Sequence, residues 1–375
     1  MKKVKFFIDD IPVEGSQDES IWTVAKRYGT TLPHLCYSDK PGYRADGNCR
    51  ACMVSVEGER VLAASCIRTP SEGMKVYTKD ERSSKSREMV IELLVTDQPK
   101  KEICHDPDSH FWQMADKVNV KKSRFDKRNP ETIPEADNSH VAMSVNLDAC
   151  INCNLCVRAC REVQVNDVIG MGNRGHTSQV IFDFNDPMGD STCVSCGECV
   201  QACPTGALME SNLLDEKGKK VVKPDRKVDS LCPYCGVGCQ LTYNIKGEKI
   251  VSVDGRDGPA NNNRLCVKGR FGFDYIHNPE RLTKPLIRKD GIPKDPKERI
   301  DPLNPLSHFR EATWDEALDL AASKLLKIRD SKNGKKALAG FGCAKGSNEE
   351  AYLFQKLVRT GFHNNNVDHC TRTVS

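Results

Sequence analysis

The chain has 375 residues, 29% of them charged and only 6% aromatic. That length suits two to four domains, and the composition excludes one large apolar core in favour of small domains held by disulfides or metals. A formal net charge of +4 is too small to argue for a nucleic-acid partner, and the basic runs at 117–128 and 217–223 read as solvated surface.

Residues 4–8, "VKFFI", read as a strand, and "IPVEG" as its hairpin partner. Residues 19–29 place Ile21, Val24, Ala25 and Tyr28 on one helical face, with Gly29 as the stop. "ACMVSVEG" and "RVLAASC" alternate as two strands around a Glu57–Gly58 turn, and "GMKVYT" adds another. Residues 83–99 form a helix ending before Pro99. The polar stretch 117–140, with Pro130 and Pro134, reads as a linker, and so does the Lys- and Asp-rich stretch 214–230. "QLTYNIKG" and "KIVSVDG" read as strands. In "TWDEALDLAASKLLKIRD", Thr313 and Glu316 match a capping box, and Leu318, Ala321, Leu325 and Ile328 share a face. "KALAGFG" reads as a buried strand. Ser347 and Glu350 form a second capping box, so the C-terminal part starts an α/β arrangement.

No apolar run approaches the ~18 residues of a membrane span. The N-terminus is too short in its apolar part for an export signal, cut as it is by Asp9 and Asp10. The expected compartment is the cytoplasm, where disulfides are disfavoured. The chain has 19 cysteines, an odd number, so metal ligation is the better reading.

Cys150, Cys153, Cys156 and Cys160 follow C-x2-C-x2-C-x3-C. Cys193, Cys196, Cys199 and Cys203 repeat it, with Pro204 after the last. This is the two-cluster bacterial ferredoxin spacing, in which the fourth cysteine of each run serves the other cluster. Cys150, Cys153, Cys156 and Cys203 are therefore assigned to one [4Fe–4S], and Cys193, Cys196, Cys199 and Cys160 to a second. Arg161 stands where the pattern has proline after Cys160, a position that helps the turn but does not ligate. Cys36, Cys49, Cys52 and Cys66 suit a [2Fe–2S], although the first gap exceeds that of the plant-type pattern. Gly42 and Gly47 leave room for close approach of the chain. The third set, Cys232, Cys235, Cys239 and Cys266, suits a third [4Fe–4S] on its loop glycines, Gly236 and Gly238. Lys268 follows two residues later, where a cation raises a potential and bridges to an anionic cofactor. Zinc remains the alternative for the first and third sets. Cys104, Cys343 and Cys370 are left over, and the last two read as buried small residues.

A [2Fe–2S] set, a double-cubane set, then "CPYCGVGC" and "LCVKGR" together resemble the N-terminal half of the catalytic subunit of cytoplasmic, NAD-linked molybdenum or tungsten formate dehydrogenases. "GFGCAKGSNEEAYLFQKLVRTGFHNNNVDHC" is similar to that family's approach to its active site. The first half also resembles the largest iron–sulfur subunit of complex I and some hydrogenase subunits. The resemblance implies an α+β multidomain chain: a β-grasp [2Fe–2S] ferredoxin domain (1–80), a helical segment and linker (81–140), a double-cubane ferredoxin domain (141–213), a molybdopterin-oxidoreductase-type [4Fe–4S] domain (228–284) and the start of a pterin-binding α/β domain (285–375). It implies clusters that carry electrons between a molybdopterin guanine dinucleotide site with Mo or W and an NAD-reducing diaphorase or another iron–sulfur or flavin subunit, with Lys268 between the third cluster and the pterin. The family's extra His- and Cys-ligated cluster is not expected here, since "ICHDPDSHFWQMADKV" keeps only Cys104, His105 and His110. The family's metal-ligating Cys or selenocysteine falls on Val374, one residue before Ser375. The expectation is therefore a truncated product, a reading stopped near a selenocysteine codon, or a relay subunit completed by another chain. A stand-alone electron-transfer subunit of a hydrogenase or NADH-oxidising complex, and a zinc-held scaffold, are the alternatives.

Overall fold

The computed structural model describes residues 2–127, 134–295 and 297–370, with only the backbone of His176; Pro130 and Val374 lie outside them. The chain up to Ser230, together with Cys239–Phe271, makes one compact unit. Leu231–Gly238, together with the chain from Gly272 onward, makes a second.

In the first unit, β1 (Lys3–Ile8) and β2 (Ile11–Ser16) pair antiparallel, from Lys3↔Ser16 to Ile8↔Ile11. Val4, Phe6 and Ile8 point to the core, as the two-residue period of a strand requires. Helix α1 (Ile21–Arg27) is capped by Ser20, which accepts from the Thr23 N–H, and covers the sheet with Ile21, Trp22, Val24 and Ala25. Gly29 just beyond it has φ +84°, so the predicted stop uses glycine's left-handed freedom. β3 (Met53–Val56), β4 (Ala63–Ala64) and β5 (Lys75–Tyr77) complete a sheet of order β2-β1-β5-β3-β4, with β1 and β5 parallel. β4 is shorter than the alternation at 60–66 predicts. The N–H groups of Ile67 and Arg68 turn back to the Ala64 carbonyl and end the strand beside Cys66.

Helix α2 (Glu81–Thr96) starts on Asp80 and is pinned to the sheet by buried Arg87, which donates to the carbonyls of Met53 (2.7 Å) and Thr78 (2.6 Å). α3 (His110–Lys117), capped by Ser109, packs Phe111 and Trp112 against Ile91 and Val95 in a cluster that also touches Cys49. β6 (Met143–Val145) and β9 (Leu208–Glu210) pair antiparallel and bracket the paired cysteine runs. Between them lie α4 (Leu155–Arg158), continued by a wider turn to Val163, the hairpin β7 (Ile169–Gly172) and β8 (Gln179–Phe182), and α5 (Glu198–Ala202).

The second predicted linker is partly strand. β10 (Arg226–Leu231) is the edge of a sheet of order β10-β11-β12, with β11 (Gln240–Lys246) and β12 (Lys249–Gly255). None of its six residues is buried, so backbone pairing holds it and no apolar alternation marks it. α6 (Val267–Phe271) follows.

In the second unit, β13 (Leu286–Arg288) and β14 (Phe309–Glu311) form a hairpin-like pair ahead of α7 (Trp314–Arg329). β15 (Gly340–Gly342), α8 (Asn348–Lys356) and β16 (Val367–His369) make a strand–helix–strand step with parallel strands. α8 has its full capping box: Ser347 N–H donates to Glu350 at 2.6 Å, and Glu350 N–H to the Ser347 hydroxyl at 3.2 Å. α7 keeps half of the predicted one. Glu316 N–H reaches Thr313, but the Glu316 carboxylate is taken by Arg310. The predicted apolar face of α7 is exposed at Leu318, Leu325 and Ile328. No helix among the described residues is long and apolar enough to cross a membrane.

Candidate metal centres

Cys36, Cys52 and Cys66 are buried to within 2% of their surface, and Cys49 is half-buried. The N–H of Cys36 donates to Cys49 Sγ and that of Cys49 to Cys36 Sγ, both at 3.4 Å. The loop carrying Cys49 turns at Gly47 (φ +61°), where a Cβ would stand 2.1 Å from Ile67 Cδ1. Hydrogen bonds from Cys49 and Cys66 hold the Cys36 thiol down. The same bonds, with burial, push Cys49 and Cys66 up. A hydrogen bond from Cys66 holds the Cys52 thiol down as well, so two thiols favour and two resist ionisation, and a bound cation would draw all four into ligation.

The paired runs fold alike. Asn152 (φ +52°) and Asn154 (φ +61°) in the first correspond to Ser195 (φ +56°) and Gly197 (φ +68°) in the second. These left-handed residues curl each loop, so that the N–H of Asn152 reaches Cys150 Sγ and that of Ser195 reaches Cys193 Sγ, each at 3.4 Å. Gly197 is also required by space, since a Cβ would lie 2.8 Å from the Arg270 chain. A small, largely apolar pocket is lined by Cys150, Cys153, Cys156 and Cys203. Four thiols converging among apolar walls are the donor set of a cubane. Cys160 acts electrostatically on Cys193, Cys196 and Cys199, so the fourth cysteine of each run lies with the other run. Burial pushes the Cys153, Cys156 and Cys199 thiols up. Among the described residues, no three His, Cys, Asp or Glu side chains are gathered as a site for a single metal ion.

The first set and the two paired runs adjoin one another. Cys36 packs with Cys153 and Leu155 in one small buried cluster, and the charge of Cys199 acts on Cys156. Two buried arginines tie the loops together, and neither stood out in the sequence. Arg158 spans the Cys36 and Cys153 loops. Arg270, on α6, donates to the carbonyls of Cys196 (3.3 Å) and Val253 (2.8 Å) and faces Glu198 at 3.5 Å. Tyr43 O–H donates to the other oxygen of Glu198 at 2.9 Å. Burial raises the Glu198 carboxyl, opposed by Arg270 and Tyr43. Glu198 carries a sequence signal, a charged residue between Cys196 and Cys199, and Arg270 carries none.

Of the third set, Cys239 and Cys266 belong to the first unit and Cys232 and Cys235 to the second. Tyr234, between the latter two, donates its hydroxyl to the Gly272 carbonyl. Lys268 lies exposed on α6. Cys104 is buried, with its thiol donating to the Lys101 carbonyl. His105 is held between Asp148 and the Gly218 carbonyl, both at 2.8 Å, and His110 bonds the His34 carbonyl at 2.8 Å. Cys343 and Cys370 are exposed rather than buried. Each lies one residue beyond a paired strand, β15 and β16, where the sheet stops covering the chain.

Comparison with known proteins matches residues 1–81 to a 2Fe-2S iron-sulfur cluster binding domain and 149–207 to a 4Fe-4S dicluster domain. Residues 225–278 match the molybdopterin oxidoreductase Fe4S4 domain and 281–374 molybdopterin oxidoreductase itself. These are the domains of an iron–sulfur molybdopterin oxidoreductase. Similar relatives include oxidoreductase YjgC of Bacillus subtilis, 30% identical over 97% of this chain and 39% of its own. A protein named as a formate dehydrogenase in Staphylococcus haemolyticus is 30% identical over 94% of this chain and 37% of its own. The NADPH-Fe(3+) oxidoreductase subunit alpha of Geobacter sulfurreducens is 28% identical over 97% and 40%. The chain thus spans about two-fifths of these relatives. A solved NAD+-reducing [NiFe]-hydrogenase structure is similar over 56% of this chain and 87% of that one, at 25% identity and a TM-score of 0.49.

Proposed function

We propose that this chain is the iron–sulfur relay of a formate dehydrogenase-like oxidoreductase. The observation that carries the proposal is the cavity lined by Cys150, Cys153, Cys156 and Cys203, with Cys160 sent in exchange to the Cys193 loop. In this reading the sheet β2-β1-β5-β3-β4 with α1 is a β-grasp holding one [2Fe–2S] on Cys36, Cys49, Cys52 and Cys66. Three [4Fe–4S] follow on the two ferredoxin sets and on Cys232, Cys235, Cys239 and Cys266. The domains run 1–80, 81–140, 141–213, 228–284 and 285–375. Iron–sulfur clusters supply one-electron carriers, and molybdopterin guanine dinucleotide with Mo or W supplies the site of formate oxidation or CO2 reduction when the whole enzyme is present.

This chain's own residues have narrower tasks. The left-handed loop residues aim backbone N–H groups at sulfur, the apolar walls exclude water, and Lys268 offers a cation to the anionic pterin. The partner is an NAD-reducing diaphorase or another iron–sulfur or flavin subunit, and the setting is the cytoplasm. Anaerobic purification followed by iron and acid-labile sulfide analysis tests the reading. Cys199→Ser is expected to remove one [4Fe–4S] signal from the EPR spectrum; an unchanged spectrum refutes the ligand set. Bound zinc with no acid-labile sulfide refutes the relay altogether.

A further inference from the structure

Arg158 has an environment that the ligand sets do not explain. Its side chain is 2% exposed and pairs through Nε with Asp46 Oδ2 at 3.1 Å. One nitrogen, Nη2, donates to the carbonyl of Cys36 at 2.6 Å and to that of Cys153 at 3.2 Å. The other, Nη1, donates to the Arg44 carbonyl. A single guanidinium therefore grips one cysteine from each of two neighbouring sets, across 122 residues of sequence. Asp46 is also paired with Arg44, which reaches Glu162 at 2.9 Å, so this charge is balanced by a short network at the rim. A buried cation costs free energy unless every donor is used, and the planar fork of arginine suits several acceptors at once.

We propose that Arg158 is the positioning residue for electron transfer between the [2Fe–2S] site and the first [4Fe–4S] site. It holds the two cysteine loops at a fixed separation and sets both potentials with one charge. The proposal rests on the ligand sets proposed above. A fixed buried cation favours the more negative, reduced state of any nearby centre, and charge and hydrogen bonding are main levers on cluster potential. Because the guanidinium touches a cysteine of each set, its removal shifts both centres together. The Cys193, Cys196, Cys199 and Cys160 site, which Arg158 does not touch, serves as the internal reference.

The test is redox-poised EPR on the full chain, purified anaerobically, for wild type, Arg158→Gln and Asp46→Asn. In R158Q the reduction equilibria of the two centres are expected to fall about tenfold, which is 59 mV for a one-electron couple. The spin–spin broadening between the two reduced centres is expected to narrow. D46N removes the counter-charge while leaving the two carbonyl bonds in place, so both midpoints are expected to move the opposite way. A merely structural role gives no such reversal of sign. If R158Q fails to assemble clusters, D46N alone decides, by a rise at both centres with none at the reference. Unchanged midpoints in D46N, or a shift of the same sign in both variants, overturn the proposal. A wild-type chain without iron refutes the relay reading itself, a result distinct from either.

Discussion

Replacing Arg270 by Met keeps an elongated side chain and removes a charge from the interior. Arg270 and Glu198 have side chains 1% exposed each, 3.5 Å apart. Arg270 also serves Gln201 at 2.5 Å, Val253 O at 2.8 Å and Cys196 O at 3.3 Å. Removing one partner of a buried pair costs about 3–5 kcal/mol, and a buried carbonyl left without its donor about 1–3 kcal/mol. The two losses overlap, and Tyr43 still reaches Glu198, so the expected destabilisation is about 3–5 kcal/mol. At ~2–4 °C per kcal/mol for a domain of this size, the melt falls by about 6–20 °C. The assay is anaerobic melting of the cluster-loaded chain at one fixed scan rate, followed by visible absorbance and far-UV circular dichroism. Adding Glu198→Gln removes the orphaned charge, so the double variant is expected to recover part of the loss, a coupling that a double-mutant cycle measures. A fall of less than about 2 °C in R270M, or a double variant in which the two losses simply add, refutes the buried-pair account.

Gly47→Ala forces a Cβ toward Ile67 at a backbone φ of +61°; a loss of about 1–3 kcal/mol is expected, with a weakened [2Fe–2S] absorbance, and an unaltered spectrum and melt would count against this turn's role. Burial lowers the His105 pKa, but the hydrogen bond and charge of Asp148 and the Gly218 carbonyl outweigh it, and the net shift is upward. The folded state therefore binds that proton more tightly than the unfolded chain. Its stabilising contribution is full below the unfolded value of about 6.5 and is lost as pH rises through the raised folded value. H105Q is expected to flatten that decline in a stability–pH profile; a profile parallel to wild type would sink the assignment. Finally, maleimide labelling with mass-spectrometric mapping is expected to modify exposed Cys343 and Cys370 before Cys36, Cys52, Cys156 or Cys199, and the reverse order would contradict the structure.

Features whose cause lies within a few residues were legible in the sequence. The cysteine runs, the Ser347 cap and the hairpin β11–β12 depend on local spacing and local hydrogen bonds. Arg158 and Arg270 were not legible: each looks like an ordinary basic residue on a short helix, and its burial is created by partners far along the chain, Cys36 for one and Glu198, 72 residues away, for the other. β10 escaped notice because backbone pairing rather than apolar alternation holds it. The Leu318–Ile328 stripe of α7 shows the converse. The periodicity correctly gave a helix with one apolar side, but α7 has no buried residue, because periodicity reports a potential to be covered and not the presence of a cover. Cys343 and Cys370 were misjudged for a similar reason: small sulfur side chains are usually buried, and only the ends of β15 and β16 reveal these two as surface.

The proposed exchange of the fourth cysteine between the two paired runs has a consequence for biogenesis. The pocket that begins at Cys150 is closed by Cys203, and the ribosome must add the whole second run before that wall exists. At ~5–20 residues per second, translation takes seconds to cover the gap. On the proposed ligand set, iron donated to the nascent chain in that interval would meet Cys150, Cys153 and Cys156 without Cys203, so cluster insertion is expected to follow synthesis of the second run.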